Sequence, residues 1–136
     1  MSRFIVPCNP KYFDVIKHFE CQKTLVCKRL NKVCVGDIVY VYLCQPYKEI
    51  KYRCHVTKET LDEQTIMQNK YAIINPSNSN DKYMEITLDF SYPTGAITYE
   101  MLKAHDYNQF QRMGHVWYKT EAFIDVVEAN LSEDNL

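Results

Sequence analysis

Six cysteines and four histidines are the residues of this 136-residue chain best suited to nucleophilic or metal chemistry, and their spacing argues against both. Cys8, Cys21, Cys27, Cys34, Cys44 and Cys54 contain no C-x-x-C pair. His18, His55, His105 and His115 lie far apart, so no two histidines share the short spacing of common zinc sites. Cys8 alone has an activating neighbour: it ends a strand-like run beside a helix start, where the helix dipole lowers a thiol pKa. The competing reading of Cys8, a partly buried structural thiol, is favoured by its apolar surroundings. The chain has no G-x-S-x-G elbow, Walker loop, G-x-G-x-x-G or H-E-x-x-H motif, and only three glycines. Gly-rich phosphate cradles are thereby excluded, and the expectation is a binding protein with no catalytic residue, no metal and no cofactor.

The aromatic residues carry more information. Tyr12, Tyr47 and the pair Trp117-Tyr118 stand at chain breaks, where rings can sandwich a flat ligand. A base stacked on such a ring gains about 1 to 3 kcal/mol. Most Tyr and Trp residues in a small domain instead pack the core with the polar tip outward. Charge is similarly uneven. The formal net charge is −1, but five acids (Glu121, Asp125, Glu128, Glu133, Asp134) follow residue 120 without a Lys or Arg, leaving +4 on the rest. Residues 22–36 hold Lys23, Lys28, Arg29 and Lys32 and one acid-free stretch, which is either a local basic surface or a solvated loop.

The elements that must position these groups are read from periodicity. Residues 3–7 (RFIVP) predict a short strand; Asn9-Pro10 predicts a helix over 10–20 with Tyr12, Val15, Ile16 and Phe19 inward. Gly36-Asp37 turns the chain into IVYVYLC, a strand apolar on both faces. Residues 50–57 alternate, with Ile50, Tyr52, Cys54 and Val56 on one face. A long polar excursion over 58–81 follows, with a weak apolar signal at 66–74. Residues 82–90 then alternate with Met84, Ile86, Leu88 and Phe90 inward. Thr98 caps a helix to about His105, and Thr120 caps a last one with Phe123, Val126 and Val127 inward. The whole predicts one α+β domain over 1–129, a curved and mostly antiparallel sheet or small barrel flanked by helices, with an acidic tail over 130–136. No run is long and apolar enough to span a bilayer, and the expected location is the cytoplasm.

Two stretches, RFIVPCNPKYFDVIKHF and KVCVGDIVYVYLCQPYKEIKYRCHV, together with the later YMEITLDF and ITYEMLKAH, resemble the EVE domain family of the PUA-like superfamily, related to YTH and ASCH domains. The sequence departs from that pattern at Phe4, where many relatives carry Trp, and at RMGHVW, where Arg112, His115 and Lys119 stand in for the usual basic residues. The resemblance implies a PUA-like β-barrel that recognises a modified base, cytosine or adenine, in DNA or RNA after base flipping. It places Cys8, Asn9, Tyr12, Tyr42, Tyr47 and Trp117 around the base and Lys23, Lys28, Arg29, Arg112 and Lys119 on phosphates. It also implies a nuclease or restriction partner. The rival readings are a protein-interaction or scaffold module with a vestigial pocket, and a small ASCH-like nucleoside amidohydrolase; a buried Lys beside a carboxylate would mark the latter.

Absent a secretion signal or ligand pairs, all six thiols are expected to be reduced and metal-free. Thiol titration of the denatured, non-reduced protein should count six. A lower count, or stoichiometric zinc by elemental analysis, would overturn this.

Overall fold

The computed structural model describes residues 2–29, 32–61, 83–105, 114–116 and 118–134. Among them are six strands: β1 (Arg3–Cys8), β2 (Thr24–Lys28), β3 (Ile38–Leu43), β4 (Glu49–Lys58), β5 (Tyr83–Ser91) and β6 (Gly114–His115). Three helices accompany them: α1 (Val15–Cys21), α2 (Tyr99–Ala104) and α3 (Tyr118–Asp134). The strands form one sheet in the order β2-β5-β4-β3-β1-β6, antiparallel except for the β1–β3 pair. The expected excursion over 58–81 and its weak apolar stretch fall largely outside the described residues.

β3 is central because all six of its residues are buried, as its apolar faces require. Phe4, Val39, Tyr52 and Ile86 meet in a first core, together with Leu25 and Cys27 of β2. β2 at one edge of the order and β1 next to the other edge thus share one cluster, so the sheet curls into a half-barrel around it. Burial pushes the Cys27 thiol up to about 12, and Cys8 across this core adds to the effect. The opposite face carries a second core of Ile5, Ile38, Tyr40, Tyr42, Ile50 and Tyr92, covered by α2 and α3.

Several expectations are corrected. Residues 24–28, read as part of a basic loop, form β2, because Leu25, Val26 and Cys27 are each about as buried as any core residue. The first helix starts at Val15, not Pro10. Asn9 uses its side chain in a turn, accepting from Lys11 N at 3.0 Å, while Asp14 caps the helix by accepting from Lys17 N at 3.1 Å. Tyr12 is therefore outside the helix and exposed. Ile50 does not share a face with Tyr52: Val41 pairs with Tyr52 but Tyr42 with Ile50, so a bulge turns Ile50 into the second core. A second register shift, with Arg53 opposite Phe90 and Cys54 opposite Leu88, turns Phe90 outward, where its ring meets Tyr92 edge-on at 5.1 Å.

Thr98 caps α2 as expected, accepting from Met101 N at 3.3 Å. Thr120 lies within α3 instead of capping it; its hydroxyl donates to the His105 carbonyl at 3.0 Å and ties α3 to the end of α2. Phe123 and Val127 pack on the second core, whereas Val126 is exposed. α3 continues to Asp134, and Leu131 also packs on this core, so ordered chain passes the expected tail boundary at 130.

The acids of α3 fasten it to the sheet. Arg3 donates to Asp125 at 2.7 Å and to the Tyr40 hydroxyl at 3.2 Å. Arg53 holds Glu128 at 2.8 Å, and the Tyr92 hydroxyl donates to the same carboxylate at 2.5 Å. Burial, then the bond to Glu128, pushes the Tyr92 phenol far up, so it stays a donor. Hydrogen bonds to a charged group contribute about 1.5 to 3 kcal/mol, and the Arg53–Glu128 pair is the more shielded of the two, with 30% and 23% side-chain exposure against 20% and 51% for Arg3–Asp125. Glu128→Ala should therefore lower the unfolding free energy by about 1.5 to 3 kcal/mol in urea melts. Asp125→Ala should cost under about 1 kcal/mol; the reverse ranking would show that α3 is held elsewhere.

Candidate nucleic-acid interface

Two parallel neighbours must discharge their following loops at the same end of a sheet. β1 runs into residues 9–14 and β3 into residues 44–48, and Cys44 N donates to the Cys8 carbonyl at 3.0 Å to join the two exits. Asn9, Tyr12 and Tyr47 all lie on these loops and all are exposed, Tyr12 at 81% and Tyr47 at 46%. The first loop is held by bonds from Tyr12 N and Phe13 N to the Asn9 carbonyl at 3.0 and 3.2 Å. The second is a tight turn, with Tyr47 N donating to the Cys44 carbonyl at 3.1 Å and a cis Gln45–Pro46 bond.

Lys48, at φ 51°, closes that turn, and its carbonyl accepts from Tyr99 N at 2.9 Å. Its ammonium sits 5.6 Å from the Tyr99 ring centre. The start of α2 is thereby brought beside the two loops. Lys11 makes a similar contact with Tyr12 at 5.9 Å. Lys48 and Tyr99 were missed from the sequence: Lys48 reads as an ordinary turn residue and Tyr99 as the first residue of a helix, and only the tertiary contact joins them.

Cys8 and Tyr42 are not available to a ligand in the way expected of them. Both are 3% exposed, and they face opposite cores, because Cys8 is in register with Leu43 and Tyr42 with Pro7. Burial pushes the Cys8 thiol up to about 12, with Cys44 and Asp14 adding to the effect, the opposite of what a nucleophile needs. The Cys8 carbonyl is occupied by Cys44 N. Burial likewise pushes Tyr42 up to about 12, with contributions from Cys44, Tyr99 and Glu100. Tyr42 is thus a neutral phenol beneath the site.

The expected phosphate contacts do not form one surface. By the registers, β1 and β3 end where β4 begins, whereas Thr24 at the start of β2 lies in one row with Thr87, His55, Ile38 and Arg3, level with the starts of β1 and β3. Lys23, just before β2, is exposed, but its carbonyl accepts from Leu88 N at 2.7 Å, in the row of Cys54, Val39 and Phe4 and so short of the end that bears Tyr12 and Tyr47. Lys28 and Arg29 follow the other end of β2, about 17 to 20 Å away at the rise of an extended strand. There Arg29 Nε donates to the Glu59 carbonyl at 2.9 Å, which orients the guanidinium, and Glu59 Oε1 accepts from Val35 N at 3.0 Å. Lys119 is exposed in the first turn of α3, which follows edge strand β6. His115 on β6 is exposed, with its ring 4.4 Å from Phe4. Arg112 and Trp117 lie outside the described residues. No helix of the described residues is long and apolar enough to cross a membrane.

No family model and no curated protein matches the sequence. Solved structures do match. An ASCH protein from Zymomonas mobilis is similar at 12% identity and TM-score 0.64, over 91% of this chain and 94% of that one. A hypothetical protein from Leishmania major is similar at 15% identity and TM-score 0.65, over 96% and 97%. Human THYN1, solved in complex with 5-methylcytosine-containing DNA, is similar at 13% identity and TM-score 0.64, over 94% and 98%. With a curled six-strand sheet, three helices among the described residues and near-complete overlap with these structures, the chain has the PUA-like fold of ASCH and EVE domains.

Proposed function

We propose that this protein is a nucleic-acid-binding module that recognises a modified base, without catalysing a reaction, at the end of the sheet where β1 and β3 exit. The observation that carries this reading is the pair of adjacent loops bearing exposed Asn9, Tyr12 and Tyr47. Exposed rings offer stacking faces, and the neutral amide of Asn9 can meet a base edge. That human THYN1 was solved with 5-methylcytosine DNA supports the same class of ligand for a chain with this fold. A flipped base costs a few kcal/mol to extrude, so a shaped site that rewards one extra methyl supplies selectivity only when stacking covers most of that cost. Modified cytosine is the first choice and modified adenine the second, in DNA or in RNA. A nuclease or restriction partner would act on what the module finds.

The amidohydrolase alternative calls for a lysine buried beside a carboxylate. Among the described residues the buried polar and charged side chains are His18, Asp37, Glu49 and Thr120, with no lysine. That favours a reader over a hydrolase. The scaffold alternative draws support from the separation of Lys28 and Arg29 from the aromatic loops, and is decided by binding.

A panel of oligonucleotides carrying different modified bases tests the proposal directly. One modified base should bind more tightly than its unmodified parent, and Tyr12→Ala and Tyr47→Ala should each weaken that complex by about 1 to 3 kcal/mol without lowering thermal stability. Equal, negligible binding across the panel would leave the scaffold reading.

Charge reversal separates the two ends of β2. Lys28→Glu with Arg29→Glu should weaken modified and unmodified oligonucleotides alike and flatten the salt dependence, leaving their ratio unchanged. Unchanged affinity in fluorescence titrations would remove that end from the interface.

A further inference from the structure

The neighbourhood of the aromatic loops contains one buried acid, Glu49, which follows the 44–48 turn directly and is 5% exposed. Its backbone is in register with Leu43, and Leu43 is in register with Cys8, so the three residues form one row across β4, β3 and β1 at the loop-bearing end. Glu49 also bridges Thr98, which caps α2. Both loops and the start of α2 therefore converge on this residue.

Its carboxylate keeps acceptor capacity at the surface: neither oxygen is both sealed from solvent and without a partner. Among the described residues its side-chain partner is Gly95 N, at 3.4 Å. Ordinary N–H···O bonds span about 2.7 to 3.2 Å, and a carboxylate offers about four acceptor sites. The acceptor positions that Gly95 leaves unfilled are open to a donor that reaches them. An anion there repels phosphate and carbonyl oxygens and attracts N–H donors. On a base, the donor that distinguishes one class from another is the exocyclic amino group, which cytosine and adenine carry and thymine and hypoxanthine replace with a carbonyl.

We infer that Glu49 is a specificity-determining residue whose carboxylate accepts a hydrogen bond from the exocyclic amine of the bound base. This rests on the base-reader proposal and deepens it, assigning the residue that tells the proposed cytosine-type or adenine-type bases from thymine and hypoxanthine. The loop rings supply sequence-tolerant stacking, and Glu49 supplies the choice.

The test uses the full chain and single-stranded oligonucleotides in two matched pairs: 5-methylcytosine against thymine, which share the 5-methyl group, and adenine against hypoxanthine. Wild-type protein should prefer the amine-bearing member of one pair by about tenfold or more. Which pair shows the preference tells cytosine from adenine. Glu49→Gln, nearly isosteric and able to face either an amine or a carbonyl, should reduce that preference to within about threefold of equality while retaining binding. Glu49→Asp, measured in parallel with thermal melts, keeps the charge but withdraws it, and should show an intermediate preference. Wild-type protein without preference in either pair, or a folded Glu49→Gln variant with an unchanged ratio, would overturn the role of Glu49 and leave the reader proposal standing. No binding of any oligonucleotide by wild-type protein would sink both.

Discussion

The parallel pairing of β1 with β3 is the constraint on which the rest of the molecule depends. Six residues of β1 match six of β3 from Arg3–Ile38 to Cys8–Leu43, and β3 is buried along its whole length. A parallel pair needs a long crossover, and here α1, β2 and the loop before β3 supply it. That crossover carries β2 to the far edge of the sheet, where Leu25 and Cys27 close the first core against residues of β1. The same pairing makes neighbours of the 9–14 and 44–48 loops, which residues 15–43 separate along the chain. Fold closure and site assembly thus follow from one register.

The second face of the sheet obeys a different logic. Its apolar half accepts α2 and α3, while Arg3, Arg53 and Tyr92 present polar tips that meet Asp125 and Glu128, and the Tyr40 hydroxyl accepts from Arg3. Burial pushes the Tyr40 phenol up as well, so both tyrosines stay neutral beneath the helix, Tyr40 accepting from Arg3 and Tyr92 donating to Glu128. The acids that lower the net charge of the C-terminal segment are thus partly spent on internal arginines. The remaining cations are distributed between the two ends of β2, with Lys23 at one and Lys28 and Arg29 at the other. A ligand reaching both ends would have to follow the strand, since one nucleotide is shorter than the strand is long.

What could be read from the sequence was set by local periodicity. Phe4, Val39, Tyr52 and Ile86 announce themselves through β-branched and aromatic alternation, and they do meet in one core. The curled, mostly antiparallel sheet and the Thr98 cap were legible for the same reason. β2 was obscured because Lys23, Lys28 and Arg29 draw attention to charge, although Leu25, Val26 and Cys27 carry the same apolar signal as β1. Ile50 and Phe90 were assigned to the wrong faces because a bulge adds one residue that no alternation pattern reveals. Asn9 and Asp14 are both competent caps, and which one starts the helix depends on Val15 reaching the core. Within the site, Tyr12 and Tyr47 stood out as aromatic residues at chain breaks, although Tyr12 was expected inward on the first helix, while Cys8 and Tyr42 fell to opposite faces of a strand pair whose parallel register is a tertiary fact. Glu49 was invisible because nothing local tells a buried glutamate from a solvated one.

The central claim is that ligand binds where β1 and β3 exit. Amide chemical-shift mapping of isotope-labelled protein during titration with a single-stranded 5-methylcytosine oligonucleotide tests it most directly. The largest shifts are expected on residues 9–14, 44–49 and 98–100, with smaller, salt-sensitive shifts at Lys28 and Arg29. Shifts confined to the Lys28–Arg29 end, or to the exposed face of α3, would contradict it.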